Sequence, residues 1–228
     1  MDIRQTPRFA LLFIAALAAG SALAAEDIDR VNGAITANAG SEYGQLETVN
    51  GSITLDDGAR SGDASTVNGA IRAGNDIASG GLSTVNGGIH AGERARIGGS
   101  VETVNGSVFI GRGGEVAGDV ETVNGAIGLV ATVVAGDVTT SSGNVTIGAG
   151  SHVRGRLHVD KPSANWMPIR ISTRRQRIII GPGAVVDGPL EFEREVTLYV
   201  HDSARVGEIS GATPVPYSTA TAPPRASD

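Results

Sequence analysis

Val-Asn-Gly recurs along this chain at Val31, Val49, Val67, Val85, Val104 and Val123, with successive separations of 18, 18, 18, 19 and 19 residues. So short and regular a period restricts the chain to a solenoid, in which each repeat buries its apolar face only against its neighbours. Thr precedes five of the copies, at Thr48, Thr66, Thr84, Thr103 and Thr122, and Arg30 precedes the first. Four residues after each valine stands another aliphatic: Ile35, Ile53, Ile71, Ile89, Val108 and Ile127. Ser142-Gly143-Asn144-Val145 reads as a seventh, degenerate copy. Leucine-rich repeats have a similar length, but their Leu-x-x-Leu-x-Leu frame is absent, and helical repeats run longer than about 30 residues. Apolar positions instead alternate in twos, as Val108 and Ile110 do, which is strand geometry. Glycine and Asp-Gly turns divide each repeat into three sides of roughly six residues, an ordinary strand length. The pattern predicts an all-β chain folded as a triangular parallel β-helix, a β-solenoid of 18–19 residues per coil. Nine or ten coils would make a rod about 45 Å long at the inter-strand spacing.

Stacking gives each letter of the repeat a cause. Equivalent positions lie directly above one another, so Val and Ile columns are expected to fill the interior. Asn32, Asn50, Asn68, Asn86, Asn105, Asn124 and Asn144 are expected to form a structural Asn ladder, bonded side chain to side chain along the axis. Asn tolerates the left-handed backbone of a tight corner, and the glycine beside it has no Cβ to clash. Thr is expected to add a hydroxyl ladder between neighbouring strands. A glycan or metal site on the Asn row is the weaker reading.

Residues 1–24 follow the plan of a secretory signal peptide. Arg4 and Arg8 make a positive start, residues 9–19 are an 11-residue apolar run, and Ala22-Leu23-Ala24 supplies small residues for cleavage. The run is short of the ~20 residues of a membrane span, so no stable span is expected once it is removed, although a retained anchor is the alternative. The expected location is periplasmic or secreted, in a bacterial envelope. With no cysteine, disulfides and thiolate sites are ruled out. A formal charge of −6 lacks the basic field that nucleic-acid binding needs.

After Asn144 the texture changes to Ile-x-Ile-Gly-x-x-Ala-x-Val-x-Gly-x-Leu. It is read at Val145, Ile147, Gly148, Val153, Gly155 and Leu157, and again at Ile178, Ile180, Gly181, Val185, Gly188 and Leu190. A weaker copy runs from Val196 and Leu198 to Val206 and Ile209. This phrase resembles the bactofilins, polymer-forming bacterial proteins, and the Thr-Val-Asn-Gly coils resemble secreted adhesin-type β-solenoid domains. The resemblance implies a right-handed β-helix over most of residues 25–209, with Thr-Val-Asn-Gly coils at 30–144 and bactofilin-like coils at 145–209. It implies a structural or adhesive role. The signal peptide departs from the cytoplasmic or membrane-associated setting of bactofilins.

Residues 160–177 break the regular pattern. They hold the one tryptophan, Trp166, with Arg170, Arg174, Arg175 and Arg177, a candidate patch for an anionic polymer or a sugar ring. Residues 210–228 contain Pro214, Pro216, Pro223 and Pro224 among Ala, Ser and Thr, and are expected to form a disordered tail.

Little points to catalysis. Glu47, Glu102 and Glu121 share one column, where an exposed row of acids is expected rather than an acid-base pair. The histidines, His90, His152, His158 and His201, do not form a recognisable metal or catalytic set. The expectation is therefore an exported, non-enzymatic structural or adhesin-like solenoid, without catalytic residues, cofactor or metal. Its expected partner is itself or an envelope polysaccharide such as peptidoglycan. The alternatives are a carbohydrate-active β-helix enzyme, which needs an acid cluster in a deep groove, and a periplasmic protein-binding module.

Overall fold

The computed structural model describes residues 25–161 and 175–224, and among them the chain forms strands and turns and no helix. All strand pairings are parallel, and the strands stack into three sheets of ten, ten and seven strands, a β-solenoid of about nine turns. Each coil visits the sheets in the same order. Val101–Asn105 lies in the first sheet, Val108–Ile110 in the second and Glu115–Val116 in the third. Register is kept letter for letter, so Thr103 pairs with Thr84 and Thr122, and Ile127 with Val108 and Val145.

The interior is an aliphatic column from each sheet. Leu82, Val101, Val120 and Leu157 come from the first sheet, Ile89, Val108, Ile127 and Ile178 from the second, and Ile97, Val116, Val134 and Val186 from the third. Narrow sections demand that volumes compensate within a coil. Leu55 and Ile147 are followed four residues later by Ala59 and Ser151, whereas Ala73 is followed by Ile77. At Gly114 a Cβ would collide with the Ile110 side chain, at 2.5 Å, so the large residue occupies the space that the small one leaves.

The three corners work differently. At the corner after the first sheet, Gly51, Gly69, Gly87, Gly106, Gly125 and Gly143 each sit on the carbonyl of the glycine one coil earlier, where a Cβ would lie 1.8–2.1 Å from that oxygen. No Asn of this corner has positive φ, contrary to the sequence expectation; positive φ occurs here only at the glycines of single coils, Gly33, Gly143 and Gly211. Left-handed backbone recurs coil after coil instead at the corner after the second sheet, at Gly40, Gly58, Asp76, Arg94, Gly113, Ala131, Gly150 and Gly183. At the third corner, side chains cap the next coil: Asp63 accepts the N–H of Gly81, Asp119 that of Asp137, and Asp137 that of Arg156.

Residues 160–177 interrupt the repeat without breaking the stack, and one expectation about boundaries changes. Val145 pairs with Ile178 and Leu157 with Leu190, so the coils on either side of residues 160–177 stack directly. The stretch expected as a disordered tail from residue 210 begins as part of the solenoid. Pro214–Tyr217 is the last strand of the second sheet, Tyr217 is buried, and its hydroxyl donates to the Ile180 carbonyl at 3.2 Å. The composition hid this, because one aromatic closing the open end of the core is enough to hold a Pro-rich strand in place.

Candidate functional site

The first sheet presents the most regular surface of the molecule, and the Thr-Val-Asn-Gly letters build it. Thr48, Thr66, Thr84, Thr103, Thr122 and Thr140 point inward and are buried. The Thr hydroxyls do not ladder with each other. Thr66 donates to Gly51, Thr84 to Gly69, Thr103 to Gly87 and Thr122 to Gly106, all between 2.8 and 2.9 Å, stitching each coil to the glycine corner of the one before. Period-2 geometry then turns the next residue outward. Val49, Val67, Val85 and Val104 are each 40% exposed, and Val31 at the first coil is 66% exposed. The valine of the motif is thus a surface column, not the core column that its hydrophobicity suggested.

Asparagine follows at the corner. The Nδ2 of Asn50 donates to Asn32 Oδ1, and the chain of bonds continues through Asn68, Asn86, Asn105 and Asn124, at 2.9–3.1 Å throughout. Asn144 does not belong to it. Register pairs Asn124 with Ser142, and Asn144 sits two residues further on, where its Oδ1 accepts the N–H of Arg177. The degenerate copy is therefore aligned as Thr140-Ser141-Ser142-Gly143. In that coil the Thr140 hydroxyl finds no partner among the described residues.

On the other side of the valines runs the expected acidic column. Glu47, Ser65, Ser83, Glu102 and Glu121 pair in sequence, with Glu102 directly opposite Glu121. Partial burial and the like charges of Glu102, Asp160 and Asp119 raise the pKa of Glu121 above the usual carboxylate value. A shallow open depression lies beside Glu47, Asp63, Ser65, Ser83 and Glu102. Among the described residues its lining holds no basic side chain, and its serines stand on separate coils.

Of the candidate polymer-binding patch, Trp166, Arg170 and Arg174 lie outside the described residues. Arg175 pairs with Glu195 at 3.1 Å. Arg177 stacks over the Tyr199 ring, 5.0 Å from its centroid, and donates to the Pro223 carbonyl. These two arginines are thus engaged within the chain, and Arg177 pins the segment after Tyr217 against the second sheet. Elsewhere His90 stacks on Phe109 at 4.9 Å, and His152 pairs with Asp187 at 2.7 Å.

The valine column ends with a change of chemistry. Beyond Ser141 it continues as Asp160 and Glu193, while the glutamate column continues as Thr139, His158 and Glu191. Sequence reasoning missed this convergence. Aligning Leu157-His158-Val159-Asp160 on Leu190-Glu191-Phe192-Glu193 would have found it, but the 33-residue offset hid that alignment. No protein-family model matches the chain, and no curated protein or solved structure is found similar to it.

Proposed function

We propose that this protein is an exported, non-catalytic structural rod of a bacterial envelope that associates side by side with a second copy of itself. The observation that carries this reading is the exposed valine column of the first sheet. Apolar side chains scattered over a surface need no partner, but a contiguous row on a flat sheet does. Six valine rows at the ~4.8 Å coil spacing form a strip about 25 Å long. With the flanking Asn and Glu columns it offers about 450 Å² per partner, at the weak end of specific interfaces. A second copy carries the same strip at the same spacing, so the surface matches itself about a two-fold axis. A two-fold contact of this kind is closed, so each strip is satisfied by one partner copy and the product is a weak dimer.

The ends favour lateral over end-to-end association. At the last strand of the second sheet, Pro214 and Pro216 have no N–H to give to an incoming strand. At the first strand of the first sheet, Glu26, Asp27 and Asp29 put charge on the open edge. The likeness of the repeat to bactofilin and adhesin-type coils agrees with a structural role, and the signal-peptide plan of residues 1–24 agrees with export.

Light scattering after size exclusion, over a hundredfold range of concentration, tests the reading. The wild-type protein should associate as concentration rises, and the Val67→Lys/Val85→Glu variant should remain monomeric. That pair stacks opposite charges on adjacent coils and leaves the net charge unchanged, so the fold is retained. A wild type that stays monomeric at millimolar concentration would overturn the proposal, as would a variant that associates equally well.

A further inference from the structure

We infer that His158, Asp160 and Glu193 form a binding site for a divalent transition-metal ion of the zinc type. His158 and Asp160 lie on one coil and Glu193 on the next, and their ligand atoms all fall within 4.8 Å of one another. His158 Nε2 is 2.8 Å from Asp160 Oδ1 and 3.8 Å from Glu193 Oε1. Donors bound at ~2.0 Å to a tetrahedral ion stand about 3.3 Å apart, so these two distances bracket the required one. Small side-chain rotations bring the three donors around a common centre. The imidazole is 14% exposed, which fixes its orientation, while the two carboxylates are more open and leave room for a fourth ligand.

Two further features of the place suit a bound cation. Asp160 and Glu193 each follow by one residue the paired Val159 and Phe192, in line with a column that is valine in its first six coils, and like charges brought together on neighbouring coils are destabilising. Both carboxylates converge on the same ring nitrogen, Nε2, from two successive coils. The second feature lies behind the ring. His158 Nδ1 is sealed from solvent and lies 3.2 Å from Glu191 Oε2, without a well-aligned hydrogen bond. Arg156 reaches Glu191 at 3.6 Å and is itself held by Asp137 at 2.9 Å. A carboxylate behind a ligating histidine is the usual support of such sites, since it orients the ring and raises its basicity. The mixture of one imidazole and two carboxylates favours zinc over calcium or magnesium, which prefer all-oxygen shells. Three protein donors leave a coordination position for water or for a donor from another molecule.

Titration calorimetry of the full-length protein, stripped with chelator, tests the site with zinc chloride as the probe. One ion should bind per chain, and the melting temperature should rise with zinc. Calcium and magnesium at the same concentration should have no effect. Asp160→Asn and Glu193→Gln should each weaken binding at least tenfold, His158→Ala should abolish it, and Glu191→Gln should weaken it about tenfold through the ring. Cobalt in place of zinc should give the visible absorption of a low-symmetry site, lost in His158→Ala. His90→Ala, on the second sheet, should bind as the wild type does. An absence of zinc binding below millimolar concentration would overturn the inference. So would binding that survives in a His158→Ala variant whose metal-free circular dichroism matches the wild type.

Discussion

Glycine and alanine exchange opposite values at two corners of the same coil. Gly87 is ordered by contact. A Cβ there would lie 2.0 Å from the Gly69 carbonyl oxygen, and that oxygen also receives the Thr84 hydroxyl, so it has no freedom to withdraw. Gly87→Ala should cost about 3 kcal/mol, read from urea unfolding. Ala131 has the reverse problem. It holds φ at 45° in a column where Gly113 and Gly150 are its left-handed neighbours. An L-residue pays ~1–2 kcal/mol there, so Ala131→Gly should stabilise the fold by about 1 kcal/mol. Asp76 and Arg94 share this backbone conformation but are joined by paired hydrogen bonds at 2.7 Å, which hold Asp76 below its ordinary pKa. The period of the sequence announced where a corner falls. It did not announce which corner requires left-handed backbone, because both use glycine for different reasons.

At the level of the strand, a column of like residues is either a bond or a liability. The Asn column is a bond, since each amide is donor to one neighbour and acceptor to the other. The Glu column has no such reciprocity. Glu121 faces Glu102, and its raised pKa means that the folded state holds its proton to higher pH than the unfolded chain, whose glutamates titrate near ~4.3. Its contribution is therefore neutral below about pH 4 and turns unfavourable as pH rises through the folded value. Glu121→Gln should raise the melting temperature at pH 7 and leave it unchanged at pH 3.5, as followed by circular dichroism. Strand placement was legible in the spacing of Val31 to Val123, but inside and outside were not. Thr and Val differ by one atom in shape, and the motif places them on opposite faces. The polar one is buried because the glycine corner offers its hydroxyl an acceptor. The same blindness hid His158, Asp160 and Glu193, whose proximity depends on two coils that stack across an interruption in the repeat.

For the whole molecule, strand pairing joins each coil to the one above or below, at sequence separations of 18–19 residues through the Thr-Val-Asn-Gly coils and of 16–20 in the last coils. Stability is then close to a sum of coil and interface terms, and the interior coils are interchangeable in kind. Duplicating residues 67–84 should yield a protein about 4.8 Å longer by small-angle scattering, with a melting temperature no lower than the parent's. A melting transition that splits in two, or a chain that fails to fold, would contradict that additivity. Apart from the interruption after Lys161, the departures from the repeat gather towards the extremities: the acidic first strand, and the last coils with the buried Tyr217 and its Pro-rich strand.

Those closed ends have a consequence for how such a molecule can change. On the proposed side-by-side association, length is set by how many coils the gene writes between two blunted ends, not by how many molecules join in line. The protein is thus a ruler with a stop at each end, and unequal recombination between near-identical 18-residue units is the operation that moves its graduations.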